Sequence, residues 1–379
     1  MTPDLRFARA TDGVTVGYQV FGHGPVLVWL PSLSNIVAQW RVPALRAAYE
    51  ALARHLTVVL YDGRGTGSSD RRIDLADLGV DAHLRDLTAV LDDAGVQHAS
   101  LLGYYHSVTT AIAYAARRPD RVDRMVLFGG SPRLREVMGP AQTQALLSLV
   151  DQDWGLFADA AATAWLGWDA ASSGRWAAES FRTATTAPVA KAWFGAARDI
   201  DVTAEVERVR APTLVLHRQN EQQMPVEVSR RLADRLPDGR LVELPGTTPT
   251  LFIEDQATDL RLVTDFVTGE RTDFVTGERT DFVTGQRTDF VTGQRTDLVT
   301  GGRGERTGRV ARAKSALTPR EAEVLRLLPS GDSNTEIARR LGIAVHTVER
   351  HLASIYRKIG ARGRAEAVAY AMTENPHNI

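Results

Sequence analysis

The sequence predicts an α/β domain with a mostly parallel sheet, followed by a small all-α domain that contains a helix-turn-helix. The first prediction rests on short apolar segments that alternate with longer amphipathic segments between residues 14 and 266. The second rests on two helix start signals and an apolar stripe between residues 317 and 359. A tandem octapeptide repeat separates the two regions.

The composition is that of an ordinary globular protein. The chain has 379 residues, of which 44% are hydrophobic, which is enough for two or three domains with buried cores. It contains no apolar run of about eighteen residues and no leader segment, so we predict a cytoplasmic protein without a membrane partner. The absence of cysteine excludes disulfides and thiolate metal sites. We predict neither a cofactor nor a metal.

Charge is distributed unevenly along the chain. Residues 302–379 contain 14 Lys and Arg against 8 Asp and Glu, whereas the rest of the chain contains 31 against 38. The C-terminal region is therefore basic and the remainder is acidic. A basic region on a nearly neutral protein is suited to binding nucleic-acid phosphates.

Seven strands and five helices are predicted in the first region. Each strand is a short apolar segment that ends at turn residues, and each helix is a longer amphipathic segment. The strands are 14–21, 26–30, 57–61, 100–102, 125–128, 213–217 and 241–244. The helices are 38–53, 81–94, 108–117, 226–236 and 254–267.

Two turns in this region carry motifs. The loop after the third strand reads Asp62-Gly63-Arg64-Gly65-Thr66-Gly67-Ser68-Ser69, and the turn after the fourth reads Gly103-Tyr104-Tyr105-His106-Ser107. The loop resembles the D-x-R-G-x-G-x-S loop of the α/β-hydrolases, and the turn lies where that family has its nucleophile elbow, G-x-S-x-G. The resemblance covers residues 1–267 and implies an α/β-hydrolase-like sheet with a helical cap at about 131–200.

The resemblance places unexpected residues at the three catalytic positions. Tyr105 stands where the family has its nucleophilic Ser, Glu221 where it has the acid, and Pro249 where it has the His. Loss of a triad nucleophile or base lowers turnover about a millionfold. We therefore predict that this domain has no catalytic residue and is a pseudoenzyme. Ser107, at the second Gly of the elbow, is interpreted as a structural hydroxyl.

Two alternatives stay open at this point. In the first, the domain is a hydrolase or lyase with a non-standard catalytic set, in which Tyr105 is the nucleophile or His106 the base. A phenol with a pKa near ~10 and no base beside it would be a poor nucleophile. In the second alternative, the domain is only a scaffold for dimerisation.

The predicted cap is rich in aromatic residues, since five of the seven tryptophans lie within 131–200. These side chains either pack the cap onto the sheet or form a cage for a small apolar ligand. We predict a ligand pocket in which the elbow and the acid loop supply polar anchors. The pocket residues are Tyr105, His106, Glu221, Trp154, Trp165 and Trp168.

An octapeptide repeat occupies residues 264–303. The sequence Thr-Asp-Phe-Val-Thr-Gly-Glu-Arg begins at residue 264 and recurs at 272, 280, 288 and, imperfectly, at 296. Near-identical copies favour a lengthened linker, which as a flexible chain would span about 35 Å. The alternation of Phe and Val with Thr is also compatible with short stacked strands.

The C-terminal region contains the signals of a helix-turn-helix. Thr318 and Glu321 form one capping box, Ser333 and Glu336 form a second, and Gly342 is suited to end the helix that the second box begins. The next helix has one apolar stripe and polar residues on its other faces. The stripe consists of Val348, Leu352, Ile355 and Ile359.

This region resembles the LuxR-type DNA-binding domain. The matching segments are Leu317-Thr318-Pro319-Arg320-Glu321, Ser333-Asn334-Thr335-Glu336-Ile337-Ala338, Thr347-Val348-Glu349-Arg350-His351 and Ile355-Tyr356-Arg357-Lys358-Ile359-Gly360. The resemblance implies double-stranded DNA as a partner. The DNA-binding residues that it implies are Asn334, Thr335, Val345, His346, Thr347, Arg350, His351 and Lys358.

The implied roles within this set differ. Thr347, Arg350 and Lys358 would hold phosphates, while Val345 and His346 would face base edges in the major groove. His351 either orients the helix against the DNA backbone or packs inside the domain.

Three residues near the start of the recognition helix depart from the family pattern. They are Ala344, Val345 and Glu349. Because they lie where DNA contact is expected, they predict a weaker or altered preference for the binding site.

Together these features predict a DNA-binding transcription regulator with a degenerate α/β-hydrolase-like domain that senses a small apolar ligand. The predicted domains are 1–267 for the sensor, 264–303 for the repeat linker and 304–379 for the DNA-binding domain. A homodimer is expected, because single modules of this kind bind DNA weakly and two-fold half-sites compensate. RNA polymerase is a further candidate partner.

Overall fold

The structure is a computed structural model that describes residues 2–33, 35–138, 141–166, 171–221, 224–270, 317–328 and 334–359, together with Ala367 and Tyr370. The chain divides into two compact units, Met1–Asp281 and Phe282–Ile379, which are considered separately. The later copies of the octapeptide repeat lie outside the described residues, so both predictions for their conformation stay predictions. No helix in the described ranges is long and apolar enough to cross a bilayer.

The first unit is built on one sheet of eight strands. In the order of the sheet these are β1-β2-β4-β3-β5-β6-β7-β8, with β1, β2 and β4 paired antiparallel and every later pair parallel. All seven predicted strands are confirmed. The strands are β1 (Arg6–Arg9), β2 (Thr15–Gly22), β3 (Val26–Trp29), β4 (Thr57–Tyr61), β5 (Ala99–Tyr104), β6 (Val122–Phe128), β7 (Thr213–Arg218) and β8 (Gly239–Leu244).

Eleven α-helices accompany this sheet in the described part of the first unit, and the five predicted ones are among them. The helices are α1 (Ile36–Gln39), α2 (Pro43–Leu52), α3 (Val80–Asp93), α4 (Ser107–Arg117), α5 (Leu134–Met138), α6 (Ala141–Gln152), α7 (Trp154–Leu166), α8 (Ala171–Ala184), α9 (Ala187–Asp199), α10 (Val226–Arg235) and α11 (Gln256–Thr268). A 3₁₀-helix spans Thr203–Arg208.

Helices cover both faces of the sheet, which is why its central strands are apolar throughout. One core contains residues of α3, α4 and α10, and the other contains residues of α2 and α11. Helix α4 is the most deeply placed, because its residues 107–116 are all buried. At roughly 1.5–3 kcal/mol for each fully buried large apolar side chain, these two cores dominate the stability of the unit.

The predicted cap is confirmed as a helical layer, α5 to α9, between β6 and β7. Its own small cores are built largely from aromatic and alanine side chains. Hydrogen bonds join the cap to the loop after β4, including one from Arg71 Nη2 to the carbonyl of Thr183 at 2.7 Å. The N–H of Gly67 donates to the carbonyl of Ala184 at 2.6 Å, and the hydroxyl of Thr185 donates to the carbonyl of Gly65 at 2.7 Å.

The second unit contains the predicted helix-turn-helix. Its helices are α12 (Pro319–Leu327), α13 (Asn334–Leu341) and α14 (Val345–Ile359). Gly342 has a φ of +64°, and the N–H of Ile343 donates to the carbonyl of Ala338 at 3.0 Å, which is the Schellman arrangement that ends a helix. In the predicted stripe, Val348, Leu352 and Ile355 are buried and Ile359 packs beside them.

The capping box of α12 is confirmed, and its Glu321 also forms an ion pair with Lys358. The Thr318 N–H donates to Glu321 Oε2 at 2.6 Å, the Glu321 N–H donates to the Thr318 hydroxyl at 3.3 Å, and Lys358 Nζ lies 2.7 Å from Glu321 Oε2. Burial acts to raise the pKa of Glu321, but the hydrogen bonds from Lys358 and Thr318 outweigh it and lower the pKa to about 2. The second predicted capping box involves Ser333, which lies outside the described residues.

We expect the substitution Glu321→Gln to destabilise the second unit at pH 7 by about 1 kcal/mol, because it removes the negative charge that pairs with Lys358 and strengthens the capping hydrogen bond. The folded-state pKa lies below the ordinary value of 4.5, so this stabilisation is present above pH 4.5 and is lost as the pH falls through about 2. Hydrogen exchange of α12 peptides in the full-length protein, at pH 7 and pH 3, measures both effects.

The matched control is Glu323→Gln on the same helix. Glu323 pairs with Arg320 at 2.5 Å, but its side chain is 41% exposed, so little loss is expected. Equal loss of protection in the two variants would contradict the role given to Glu321.

Candidate functional site

The turn from β5 to α4 keeps the shape of a nucleophile elbow. Tyr105, between the strand and the helix, has a φ of +40°, a left-handed conformation that costs a non-glycine residue roughly 1–3 kcal/mol. Its N–H donates to the carbonyl of Phe128 at 3.0 Å. The Ser107 hydroxyl accepts from the Tyr104 N–H at 2.8 Å and donates to the Tyr104 carbonyl at 3.0 Å, consistent with a structural hydroxyl.

The Tyr105 side chain is held on one side of the elbow. Its ring packs edge-on against Phe128, with centroids 6.0 Å apart, and lies so close to Gly129 that a Cβ there would be 3.1 Å from two ring carbons. The hydroxyl is buried and makes no hydrogen bond of ordinary geometry to the described residues. Burial, followed by the negative charge of Glu221, raises the pKa of Tyr105 well above 10.

Glu221, at the predicted acid position, lies beside this tyrosine. Its side chain is fully buried, and its Oε2 is 4.0 Å from Nε2 of His217. Burial raises the pKa of Glu221 to about 7, and the nearby Tyr105 hydroxyl and the Met224 backbone only partly oppose the shift. The Tyr105 hydroxyl is thus near enough to interact, although neither carboxylate oxygen makes a hydrogen bond of ordinary geometry.

The loop after β8 is held by a buried ion pair instead of carrying a histidine. Pro249 occupies the expected His position and is buried. Beyond it, Phe252 has a φ of +66°, and its N–H donates to Asp259 Oδ2 at 2.7 Å. The same oxygen accepts from Arg218 Nη2 at 2.6 Å, and Arg218 Nη1 donates to the Pro245 carbonyl at 3.2 Å.

Sequence analysis did not single out Arg218 or Asp259. A signal was present, since Arg218 directly follows the predicted strand 213–217. A charged side chain at such a position needs a buried partner. The sequence gives no means of choosing Asp259, which is 41 residues further along the chain.

His106 faces the other side of the elbow, where a cavity of about 30 Å³ lies under the cap. The lining includes His83 from α3 and Trp193 from α9, and the His106 and Trp193 rings meet edge-on with centroids 4.6 Å apart. Burial lowers the pKa of His83 to about 4 and that of His106 to about 3. Both imidazoles are therefore neutral at pH 7, and His83 is a site residue that the sequence analysis missed.

An ion cluster forms the floor of this cavity. The Arg64 side chain, only 2% exposed, lies 2.8 Å from Asp86, 2.8 Å from Asp12 and 3.1 Å from Asp77. Arg85 also pairs with Asp12 and Asp77. The loop motif that resembles the hydrolases thus supplies a buried guanidinium whose hydrogen bonds go to carboxylates within the domain.

The structure divides the described residues of the predicted ligand pocket between two places. Among these described residues, His106 lines the cavity, whereas Tyr105 and Glu221 lie together on the opposite side of the elbow. Trp154 stacks on Phe157 at 5.0 Å and donates to the Arg182 carbonyl at 3.1 Å, so it packs the cap. The side chain of Trp165 and all of Trp168 lie outside the described residues.

The size of the cavity also disagrees with the predicted aromatic cage. Pockets for drug-sized ligands enclose about 300–1,000 Å³. The cavity here has about 30 Å³ and is bordered by Arg64 and Asp86. It has room for about two water molecules.

On the second unit, the start of α14 presents the predicted recognition surface. Val345 is 37% exposed, and Glu349 and Arg350 are exposed. Arg350 has no ion-pair partner among the described residues, which suits a phosphate contact. Thr347 and His351 are half-buried. The exposed positions therefore include both a predicted base-edge residue and a predicted phosphate residue.

Four other residues are predicted to contact DNA. Lys358 forms an ion pair with Glu321 at 2.7 Å, and its contact with a phosphate stays a prediction. Asn334 is half-buried and interacts with a neighbour within the protein. The side chains of Thr335 and His346 lie outside the described residues.

Residues 25–256, more than half of the chain, match the α/β hydrolase fold family. The chain belongs to this family. Residues 315–371 match the family of bacterial regulatory proteins called luxR, so this α/β hydrolase carries a LuxR-type DNA-binding domain at its C-terminal end.

Relatives of the two domains are found in different proteins. A putative carbamate hydrolase RutD of Caulobacter sp. strain K31 is 27% identical over 231 residues, which cover 58% of this chain and 84% of that protein. A putative HTH-type transcriptional regulator of Mycobacterium bovis is 46% identical over 67 residues, which cover 18% of this chain and 8% of the regulator. The chain therefore spans less than a tenth of that regulator's length.

Solved structures support the same fold for the hydrolase domain. The enol-lactonase from Burkholderia xenovorans LB400 superposes with a TM-score of 0.59 at 22% identity, covering 69% of this chain and all of the lactonase. An esterase from Rhodococcus sp. ECU1013 superposes with a TM-score of 0.60 at 22% identity, covering 70% of this chain and 98% of the esterase.

We expect Glu221→Gln to stabilise the hydrolase domain at pH 8. The folded-state pKa of Glu221 is raised from 4.5 to about 7, so the stability it contributes is present below pH 4.5 and is lost as the pH rises to about 7. At about 1.4 kcal/mol per pKa unit, the gain above pH 7 is a few kcal/mol. Denaturation followed by tryptophan fluorescence reports on this domain alone, because all seven tryptophans precede residue 194.

Glu227→Gln on α10 is the matched control, since the Glu227 side chain is 59% exposed. It should leave the pH dependence of stability unchanged. A Glu221→Gln variant that is less stable than the wild type at pH 8 would show that the ionised carboxylate has a favourable partner.

Proposed function

We propose that this protein is a one-component transcription regulator, in which an α/β hydrolase domain without catalytic activity senses a small molecule and the LuxR-type domain binds DNA. The observation that carries this proposal is an elbow of catalytic shape with Tyr105 in place of the nucleophile and Pro249 in place of the histidine. A domain that keeps the fold of an active site but lacks the catalytic residues is suited to binding a small molecule without converting it.

The environment of Tyr105 argues against catalysis by a substitute nucleophile. Burial and the charge of Glu221 raise the pKa of the Tyr105 phenol well above 10, so the hydroxyl stays protonated at neutral pH and is a poor nucleophile. His106, the other candidate, has a pKa of about 3 and is a weak base. Removal of a triad nucleophile or base typically lowers turnover about a millionfold.

The rival function is hydrolysis or lyase chemistry with a non-standard catalytic set. Its support is the likeness to putative carbamate hydrolases over 58% of the chain. That likeness covers the scaffold, whereas the substitutions fall on the residues that the reaction needs. Regulation therefore accounts for both domains, and hydrolysis accounts for only one.

The DNA-binding half of the proposal follows the usual geometry of a helix-turn-helix. Helix α14 would enter the major groove with Val345 toward base edges and Arg350 on a phosphate. A homodimer would bind two half-sites, and RNA polymerase would be the downstream partner of a regulator of this class. The repeat at 264–303 would act as the linker between domains 1–267 and 304–379.

Replacing Arg350 by alanine should weaken DNA binding about equally for all sequences. Loss of one phosphate contact lowers the slope of log affinity against log salt concentration by about 1. Fluorescence anisotropy of the full-length protein with a duplex selected from random DNA measures both quantities.

The control is Arg326→Ala on α12, an exposed arginine whose Nε donates to the Ala322 carbonyl at 3.3 Å. It should keep the wild-type salt slope. If Arg350→Ala also keeps that slope, the orientation proposed for α14 on DNA is wrong.

The proposed loss of catalysis is tested with an activated ester. The wild type should hydrolyse p-nitrophenyl acetate no faster than buffer, and Tyr105→Phe should not change this. The triple variant Tyr105→Ser, Glu221→Asp, Pro249→His rebuilds the triad on an intact elbow and should release p-nitrophenol. Wild-type turnover that disappears in Tyr105→Phe would favour the rival function.

A further inference from the structure

A second, larger space lies on the outside of the cap, in a groove along helix α8. One face of this helix lines the groove, with residues at the helical spacings i, i+3, i+4 and i+7. These residues are Arg175, Ala178, Glu179 and Arg182. Arg41, between α1 and α2, and Asp159 of α7 also line the groove. Its volume is about 470 Å³, which lies within the range of about 300–1,000 Å³ that small-molecule sites occupy.

Two arginines of this groove lie over one tryptophan. The guanidinium carbon of Arg41 is 4.5 Å from the centroid of the Trp176 ring, and that of Arg175 is 4.7 Å from it. Stacking of this kind orients a planar guanidinium but uses none of its N–H groups. Two oriented sets of hydrogen-bond donors therefore line the groove.

These two guanidiniums lack an acidic partner in the part of the chain that the structure describes. Arg41 and Arg175 are like charges held beside the same ring, so they repel each other. An anion placed next to both would convert this repulsion into attraction. A carboxylate is suited to the position, because its two oxygens match the paired N–H groups of a guanidinium.

The other charged residues of the groove limit the charge of the ligand. Arg182 pairs with Asp159 at 2.6 Å and with Glu179 at 2.7 Å. The lining thus includes three guanidiniums and two carboxylates, which leaves one positive charge in excess. A monoanion neutralises this excess, whereas a dianion such as a phosphate monoester places a second negative charge near Asp159 and Glu179.

We propose that this groove binds a small organic acid through a single carboxylate held by Arg41 and Arg175. The proposal rests on the sensing function proposed above and names the chemical class that the sensor accepts. Arg41 comes just before α2, which packs on the sheet, whereas Arg175 belongs to the cap. A bound carboxylate would therefore tie the cap to the sheet, which gives ligand binding a mechanical consequence for the domain.

Three probes separate the ligand classes. Benzoate is a monoanion, benzamide is its neutral isostere, and phenyl phosphate is a dianion at pH 8. The indole Nε1–H signals of isotope-labelled, full-length protein are followed by NMR at pH 8 and constant ionic strength, and Trp176→Phe assigns one signal by removing it. We expect benzoate to shift the Trp176 signal saturably at millimolar concentration. Phenyl phosphate should bind several-fold more weakly, and benzamide should cause no saturable shift.

Substitution of single arginines tests the site. Arg41→Gln and Arg175→Gln each remove one guanidinium and should weaken benzoate binding about tenfold. Both residues are exposed, so the variants should fold like the wild type. The matched control is Arg46→Gln on α2, which removes an exposed arginine that pairs with Glu50 at 2.8 Å and should leave benzoate binding unchanged.

Several outcomes overturn the proposal. Benzamide or phenyl phosphate binding as tightly as benzoate would refute the monocarboxylate class. Benzoate binding that is unchanged in both Arg41→Gln and Arg175→Gln would refute the site, and so would a Trp176 signal that responds to none of the probes.

DNA affinity, measured by anisotropy with and without benzoate, separates the failure of this site from the failure of the proposed function. Benzoate that binds beside Trp176 without changing DNA affinity would support the site and refute sensing through it. DNA binding that depends on Arg350, together with no response to benzoate, would refute the site and leave the DNA-binding function intact.

Discussion

The left-handed backbone at Tyr105 is the constraint around which the hydrolase domain is arranged. It is imposed from both sides, by the pairing of β5 with β6 and by the ten consecutive buried residues of α4. It also requires glycine nearby, because a Cβ at Gly130 would lie 2.8 Å from the Tyr105 carbonyl oxygen. The strain of roughly 1–3 kcal/mol is thus sustained by the core, which explains how the elbow keeps its shape with Tyr105 at this position.

Buried ion pairs fix the conformation of the loops after β4, β7 and β8. Arg64 holds the loop after β4 against α3, and Arg218 with Asp259 holds the loops after β7 and β8. A buried pair is weak evidence for net stability, but removal of one partner commonly costs about 3–5 kcal/mol. These pairs therefore specify the loop conformation, and Phe252 adopts a left-handed φ next to one of them.

The elbow separates two buried environments of different chemistry. On one side, Tyr105 and Glu221 share a site where the pKa of each is raised. On the other, His83 and His106 share a cavity where the pKa of each is lowered. Desolvation is the leading cause in all four cases, because it disfavours whichever form is charged. Desolvation therefore keeps Tyr105, His83 and His106 uncharged at pH 7.

Local sequence signals determined most of the architecture. Apolar periodicity located seven strands and five helices, and the capping residues Thr318 and Glu321 located the start of α12, because these signals act over a few residues. The four-residue β1 was missed, since Arg6 to Arg9 has one buried side chain and no apolar run. The prediction that the triad is incomplete also came from sequence, because the turn motifs place Tyr105 and Pro249 by spacing alone.

Tertiary structure decided where side chains point and what they meet. The sequence could not predict that Tyr105 and His106 lie on opposite sides of one turn, that His83 joins His106, or that Trp154 packs the cap. It also could not pair Lys358 with Glu321, which is 37 residues away. Such contacts depend on how helices that are distant in sequence pack against the sheet and against each other. This packing is a property of the whole folded chain, so a local sequence pattern cannot predict it.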